Sequence, residues 1–251
     1  MISLENKVSL VTGGSRGIGA ATALLLAKAG SDIVLNYANN AERADGVAKA
    51  IRELGRKVVT HQANVADAAE ATHLVDRGMA EFGKIDIVVN NAGIWTYGEI
   101  GNMPEDVWDE TISVNLKGVF NVCNAVVGYM KRAGDGRIIN ITSTAGQRGE
   151  AFHSHYAASK GAVTAFTKSL AVELAPFNIL VNAVAPGWVD TEMSKPALGN
   201  EESRKQITTS IPLKRIAIAE DVAGSVLFLA SEFSRHITGS TISVNGGSVL
   251  I

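Results

Sequence analysis

Short β-branched runs alternate with longer segments of helical period along the whole chain. The runs are KVSLVTGG (7–14), SDIVLNY (31–37), KVVTHQANV (57–65), IDIVVNNAG (85–93), GRIINITS (136–143), ILVNAVAPG (179–187) and STISVNGG (240–247). Helical patterns fill 17–29, 41–54, 67–82, 105–132, 155–175 and 220–230. Strand, helix, strand repeats close as right-handed parallel crossovers. The pattern therefore predicts an α/β fold, a Rossmann-type doubly wound parallel sheet with helices on both faces. IDIVVNNAG is apolar almost without a break, as a strand covered on both faces requires. With 251 residues, 46% of them hydrophobic and 19% charged, the chain can fill one large core. No linker, repeat or low-complexity segment divides it, which predicts one domain over 1–251. Only 188–219 lacks a clear period.

A net charge of −2 gives no reason to expect nucleic acid or an anionic membrane as partner. No apolar run approaches the ~18–20 residues of a membrane span. The N-terminus enters a strand at once, without a signal-peptide layout, so a cytoplasmic protein is expected. The single cysteine, Cys123, allows no internal disulfide and is predicted to be a buried small hydrophobe. His153 and His155 lack Cys, Asp or Glu partners at ligand spacing, so no metal site is expected.

Ligands of such sheets bind beyond the carboxyl ends of the strands. The first of those loops is TGGSRGIG (12–19), with Gly13, Gly17 and Gly19. Its glycines permit a tight turn, close approach of backbone to phosphate and a helix N-terminus aimed at an anion. Alone, it also fits, less well, a glycine-rich turn that binds nothing. The next strand ends carry NNAG (90–93), Ser143, and PG (186–187), and the helix after Ser143 opens on YAASK (156–160). Tyr156 and Lys160 share a helix face. A unit charge ~4 Å away at dielectric ~20 is worth about 4 kcal/mol, enough to draw a phenol about three pKa units towards neutrality. An isolated Y-x-x-x-K pair is more often an ordinary solvent-facing one.

Taken in order, TGGSRGIG, NNAG, Asn115 in SVNLKG, Ser143, YAASK and PGWVDT resemble the short-chain dehydrogenase/reductase family over nearly the whole chain. The resemblance implies an NAD(P)-dependent oxidoreductase acting on a small-molecule carbonyl or alcohol, usually a homotetramer. It implies Tyr156 as acid–base, Lys160 as pKa tuner and ribose ligand, Ser143 as carbonyl holder, and Asn115 as holder of a relay water. For the cofactor it implies Gly13, Ser15, Arg16, Gly17, Ile18 and Gly19 on the first loop. Tyr37, Asn64 and Val65 follow the second and third strands, and Asn91, Ala92 and Gly93 the fourth. Pro186, Gly187, Val189 and Thr191 follow the sixth, with Tyr156 and Lys160 completing the set.

An NAD enzyme needs a carboxylate near the end of strand two. That region here reads LNYANNAER (35–43), with no acid before Glu42. Arg16 could meet a 2′-phosphate, so NADP (as NADPH) is predicted over NAD. Asn64 stands where the family commonly has aspartate.

Within the family the motifs are similar to those of the bacterial 3-oxoacyl-[acyl-carrier-protein] reductases. An acidic carrier protein would dock on basic residues such as Lys131 and Arg132, although Phe177 stands where that subgroup often has a basic residue. The substrate pocket is predicted to include Ser143, Trp95, Gln147, His153, Trp188 and Met193. Two tryptophans suit an apolar or ring-shaped substrate as readily as a thioester. The runner-up activity is an alcohol, sugar or steroid dehydrogenase. A non-catalytic dinucleotide sensor would not need Asn115, Ser143, Tyr156 and Lys160 together. Val119, Val122, Val126, Phe166 and Leu170 are read as apolar excess on two helices that pair across a two-fold axis, with the terminal GGSVLI as a further contact. The aperiodic stretch 188–219 is expected to be a substrate lid.

Overall fold

The computed structural model describes residues 2–250. Seven parallel strands form one sheet in the order β3-β2-β1-β4-β5-β6-β7. The strands are β1 (Val8–Val11), β2 (Asp32–Tyr37), β3 (Val58–Gln62), β4 (Ile87–Asn90), β5 (Gly136–Ile141), β6 (Ile179–Pro186) and β7 (Thr241–Val244). All six pairings are parallel, as the alternating pattern requires. The order reverses between β1 and β4, which opens a crevice at their carboxyl ends.

The helices are α1 (Gly17–Lys28), α2 (Ala41–Glu53), α3 (Ala68–Phe82), α4 (Glu105–Ile112), α5 (Gly118–Ala133), α6 (Ala145–Arg148), α7 (Ser154–Leu174), α8 (Lys195–Leu198), α9 (Glu201–Ser210) and α10 (Ala219–Ala230). Successive strand residues point to opposite faces. Leu10, Val34, Val88 and Ile138 therefore face one core with α3, α5 and α7. Val11, Leu35, Val89 and Ile139 face the other, where α1 packs on α10. Cys123 is buried, and burial pushes its thiol up to about 12.

The structure departs from the sequence pattern in three places. First, the pattern over 105–132 is not one helix: a π-helical turn, Ser113–Lys117, separates α4 from α5 and carries Asn115. Such turns recur at functional sites. Second, 188–219 contains α8 and α9. α9 buries none of its residues, so no apolar stripe marks it in the sequence. Its signal is the cap: the Asn200 side chain accepts from Glu202 N and Ser203 N, with Glu201 and Glu202 in the first turn. Third, Val119, Val122, Val126 and Leu170 are consumed by the protein's own core. The apolar residues that α5 and α7 show to solvent are instead Phe120 and Val172, 49% and 79% exposed. Of the terminal run, Ile251 lies outside the described residues, and Leu250 is exposed.

Candidate active site

The glycine turn is held from beneath. The Thr12 hydroxyl accepts from Asn91 N and Ala92 N, both at 3.0 Å. The Asn91 amide donates to Thr12 O at 2.9 Å and Gly13 O at 3.1 Å. NNAG is thus a brace that fastens the end of β4 to the turn after β1. Asn36 adds a second brace, accepting from Gly13 N at 3.2 Å and donating to Ala63 O at 3.0 Å. Gly13 has φ +61°, and a Cβ on it would press on Ala92. A Cβ on Gly19 would lie 2.3 Å from Gly13 O. Only glycine lets this turn close so tightly. α1 starts there with no side-chain cap at Arg16, so its first-turn N–H groups remain free for an anion. The cradle fits a dinucleotide diphosphate.

The contributions from the ends of β2 and β3 are placed less directly. Val65 is buried in the core and Tyr37 is half-buried beside β3. The Asn64 side-chain oxygen is already occupied, accepting from Ala66 N at 3.1 Å.

A cavity of about 130 Å³ opens beside the turn. Its wall gathers Ile18, Asn91, Gly93, Trp95, Ser143, Tyr156, Lys160, Pro186, Gly187, Trp188, Val189, Thr191 and Met193, residues the sequence places far apart. Tyr156 and Lys160 lie one turn apart on α7 and are both buried. The Lys160 ammonium donates to Ile141 O at 2.9 Å and sits 5.9 Å from the Tyr156 ring centroid.

The electrostatics correct the sequence expectation for the pair. Burial dominates: it pushes the Tyr156 phenol up to about 12, with Ser143 hydrogen bonding working the other way and the Glu150 charge adding to the rise. Burial also brings Lys160 down to about 8. The Lys160 ammonium is anchored on the Ile141 carbonyl, and burial outweighs it in setting the direction of the Tyr156 shift. Tyr156 is therefore a protonated phenol at neutral pH, the state a proton donor needs.

Asn115 is bound on all sides. Its amide donates to Ile94 O at 2.9 Å and Ser159 Oγ at 3.1 Å, and its oxygen accepts from Ile94 N at 2.8 Å. Its side chain fixes the chain after NNAG.

Gln147 does not join the cavity. The short helix α6 turns it towards β7, where it donates to Ser243 Oγ at 3.3 Å. Arg148 and Glu150, unmarked by any motif, line the cavity in its place. His153 stands at the rim, stacked on Trp95 at 4.3 Å.

Arg16 lies outside the cavity. Glu192 accepts from Arg16 at 2.7 Å and also pairs with Arg43 on α2. Arg43 and then Arg16 hold the Glu192 carboxyl below the usual range. Sequence reasoning missed Arg43, whose only signal is its position just past the neutral end of β2.

A doubly wound parallel sheet, an uncapped glycine turn at its switch point and a buried Tyr/Lys pair that shares a cavity with Ser143 beside that turn define a nicotinamide-dinucleotide-dependent oxidoreductase. A family model described as enoyl-(acyl carrier protein) reductase matches residues 13–248. The chain belongs to the short-chain dehydrogenase/reductase family. It is 43% identical to the 3-oxoacyl-[acyl-carrier-protein] reductase FabG of Staphylococcus aureus, over 96% of this chain and 97% of that one. It is 42% identical to the same-named protein of Thermotoga maritima, over 98% and 99%. Among solved structures, levodione reductase superposes with a TM-score of 0.94 at 31% identity, covering 97% of each chain. A putative short-chain alcohol dehydrogenase from Sinorhizobium meliloti gives 0.94 at 33% identity, covering 98% of this chain and 97% of that one.

Proposed function

We propose that the protein is an NADPH-dependent reductase of ketones, with Tyr156 as proton donor. The observation that carries this reading is the buried Tyr156 in one cavity with Ser143 and Lys160. NADPH, when bound, supplies the hydride. Ser143 and Tyr156 orient the carbonyl oxygen between two hydroxyl groups. As charge develops on that oxygen, the Tyr156 O–H gives it a proton. The Lys160 ammonium, held by Ile141 O, stabilises the phenolate left behind. Gly13, Gly19 and the α1 N-terminus would hold the diphosphate. Arg16 and Arg43 would take the 2′-phosphate, because the end of β2 offers no carboxylate for a ribose 2′-hydroxyl.

The names of the relatives make a 3-oxoacyl thioester one substrate class, with an acyl-carrier protein docking near Lys131 and Arg132. Those two cations lie over the Phe177 and Tyr129 rings, each at 4.7 Å. The reading includes a cytoplasmic homotetramer and a lid over 188–219. Among the described residues, no helix is long and apolar enough to cross a membrane.

The test follows NADPH absorbance against acetoacetyl thioesters, cyclic ketones, diketones and ketosugars, with NADH in parallel. Consumption of NADPH with a ketone supports the reading. A protein that binds NADPH but reduces no carbonyl compound is a dinucleotide sensor instead.

A further inference from the structure

Five aromatic rings run in an unbroken series from the cavity to the surface. Trp188 meets Trp95 edge-on at 6.0 Å. Trp95 stacks on His153 at 4.3 Å with 5° between the planes. His153 meets Tyr97 edge-on at 6.1 Å, and Tyr97 stacks on Phe152 at 5.7 Å. Trp188 and Trp95 line the cavity that holds Ser143 and Tyr156. Tyr97 and Phe152 stand outside it, 64% and 53% exposed.

The series is built, not incidental. Two loops carry all but Trp188, and they are zipped together: Gly98 N donates to Phe152 O at 2.8 Å, and Gly98 and His153 form a parallel bridge. Between Trp95 and Tyr97, Thr96 turns inward to hydrogen-bond His155 Nε2 at 2.8 Å. Phe152 has φ +63°, a left-handed conformation unfavourable for a residue with a side chain. Strain of this kind clusters at ligand-binding sites. A core residue would have no need to be strained merely to present a phenyl ring to water.

The occupant follows from the shape and from the continuity with the catalytic cavity. Parallel rings favour another flat ring stacked on or beside them, and a rigid ring loses little freedom on binding. A flexible, amide-bearing thioester arm would instead need polar partners along its path. Resting on the ketone-reductase reading above, we propose that the preferred substrates carry the reacting ketone on a flat, apolar ring system. The carbonyl lies at Ser143 and Tyr156, and the ring lies along Trp95, His153, Tyr97 and Phe152.

The test uses the intact protein with NADPH and two ketones, 2-tetralone and the N-acetylcysteamine thioester of acetoacetate. Binding of 2-naphthol is followed separately by tryptophan fluorescence. Tyr97→Ala and Phe152→Gly are compared with the wild type. The wild type should favour tetralone in kcat/KM. Each variant should lower the tetralone-to-thioester ratio about fivefold to tenfold, and weaken naphthol binding similarly. A wild type that favours the thioester, or a ratio the variants do not move, overturns the ring assignment while leaving the reductase. Failure of both ketones, with naphthol still bound and weakened by Tyr97→Ala, overturns the reductase reading but supports the ring site. Absence of naphthol binding overturns the ring site. So does a change of oligomeric state in Tyr97→Ala by light scattering, which would assign the exposed rings to a second copy of the chain.

Discussion

Glu192, set between the cavity-lining residues Thr191 and Met193, accepts a hydrogen bond from Arg16 of the glycine turn at 2.7 Å. The same carboxylate pairs with Arg43. The segment after β6 is thereby tied to the two cations proposed above for a 2′-phosphate, and its Thr191 lies against Gly17. A phosphate must compete with Glu192 for those guanidinium groups.

The wild type should therefore prefer NADPH to NADH. Arg16→Ala and Arg43→Ala should each raise the NADPH KM about tenfold, as expected for lost charge-assisted bonds, and leave NADH kinetics little changed. Glu192→Gln should tighten NADPH binding about twofold to fivefold, the worth of an exposed ion pair, without affecting NADH. Titration calorimetry with both cofactors checks this. Equal efficiency of the wild type with both cofactors would contradict the assignment.

Tyr156→Phe should fold and bind cofactor, because the phenyl ring keeps its buried place on α7. Turnover should fall by the ~10²–10⁴ typical of a lost acid–base group. Near-wild-type turnover in this variant would remove Tyr156 from the mechanism.

Spacing made the glycine turn, the strand ends and the Tyr156/Lys160 pair legible in the sequence, because each depends on local geometry. The direction of the Tyr156 shift was not legible. It depends on burial beneath loops from distant parts of the chain, and burial outweighs a lysine whose charge faces Ile141 O. The Glu192 pairings were hidden for a similar reason, since Arg16 lies 176 residues away in sequence. Gln147 was misplaced because nothing local shows that α6 turns it towards Ser243. α9 escaped notice because an exposed helix needs no apolar period.

The pH dependence of reduction should report Lys160. Its ammonium is brought down to about 8, so it is charged at pH 7 and loses its proton as pH rises through that value. With Tyr156 pushed up to about 12, the phenol stays protonated throughout. The rate should be flat near pH 7 and fall above about 8 as the charge that stabilises the phenolate is lost. Lys160→Arg, whose guanidinium remains charged, should lose that alkaline limb even if its maximum rate is lower. A wild-type profile that shows no decline up to pH 9.5 would sink this role.

Phe120 and Val172 are the apolar residues that α5 and α7 leave in water. Large exposed side chains on two neighbouring helices suit a two-fold interface, in which the same patch meets itself. A homotetramer is expected by light scattering, and Phe120→Glu should shift it towards smaller species. A wild type that stays monomeric at micromolar concentration would refute the assembly.

The segment 188–219 should be the most mobile part of the free protein, and its build says where. Its ends are pinned. Val189 and Ala217 form a bridge, the Ser194 hydroxyl donates to Val189 O at 2.6 Å, and Leu198 and Ile211 are buried. Between those anchors α9 buries none of its residues, and among the described residues its side chains reach outside the helix and its cap only in the exposed pair of Arg204 with Asp190 at 2.6 Å. Such a pair is worth less than about 1 kcal/mol, so α9 can open at little cost while the anchors hold. Trp188 and Met193 stand on the cavity side of that hinge, Met193 still 43% exposed. Closing them over a substrate would exclude water and strengthen the Tyr156 and Ser143 hydrogen bonds. Amide exchange over 188–212 should slow when NADPH and a substrate analogue bind, most of all within α9. Substitutions at Trp188 or Met193 should change substrate preference more than cofactor affinity. If saturating ligands leave exchange across this segment unchanged, it is no lid, and Trp188 and Met193 act only as fixed walls of the cavity.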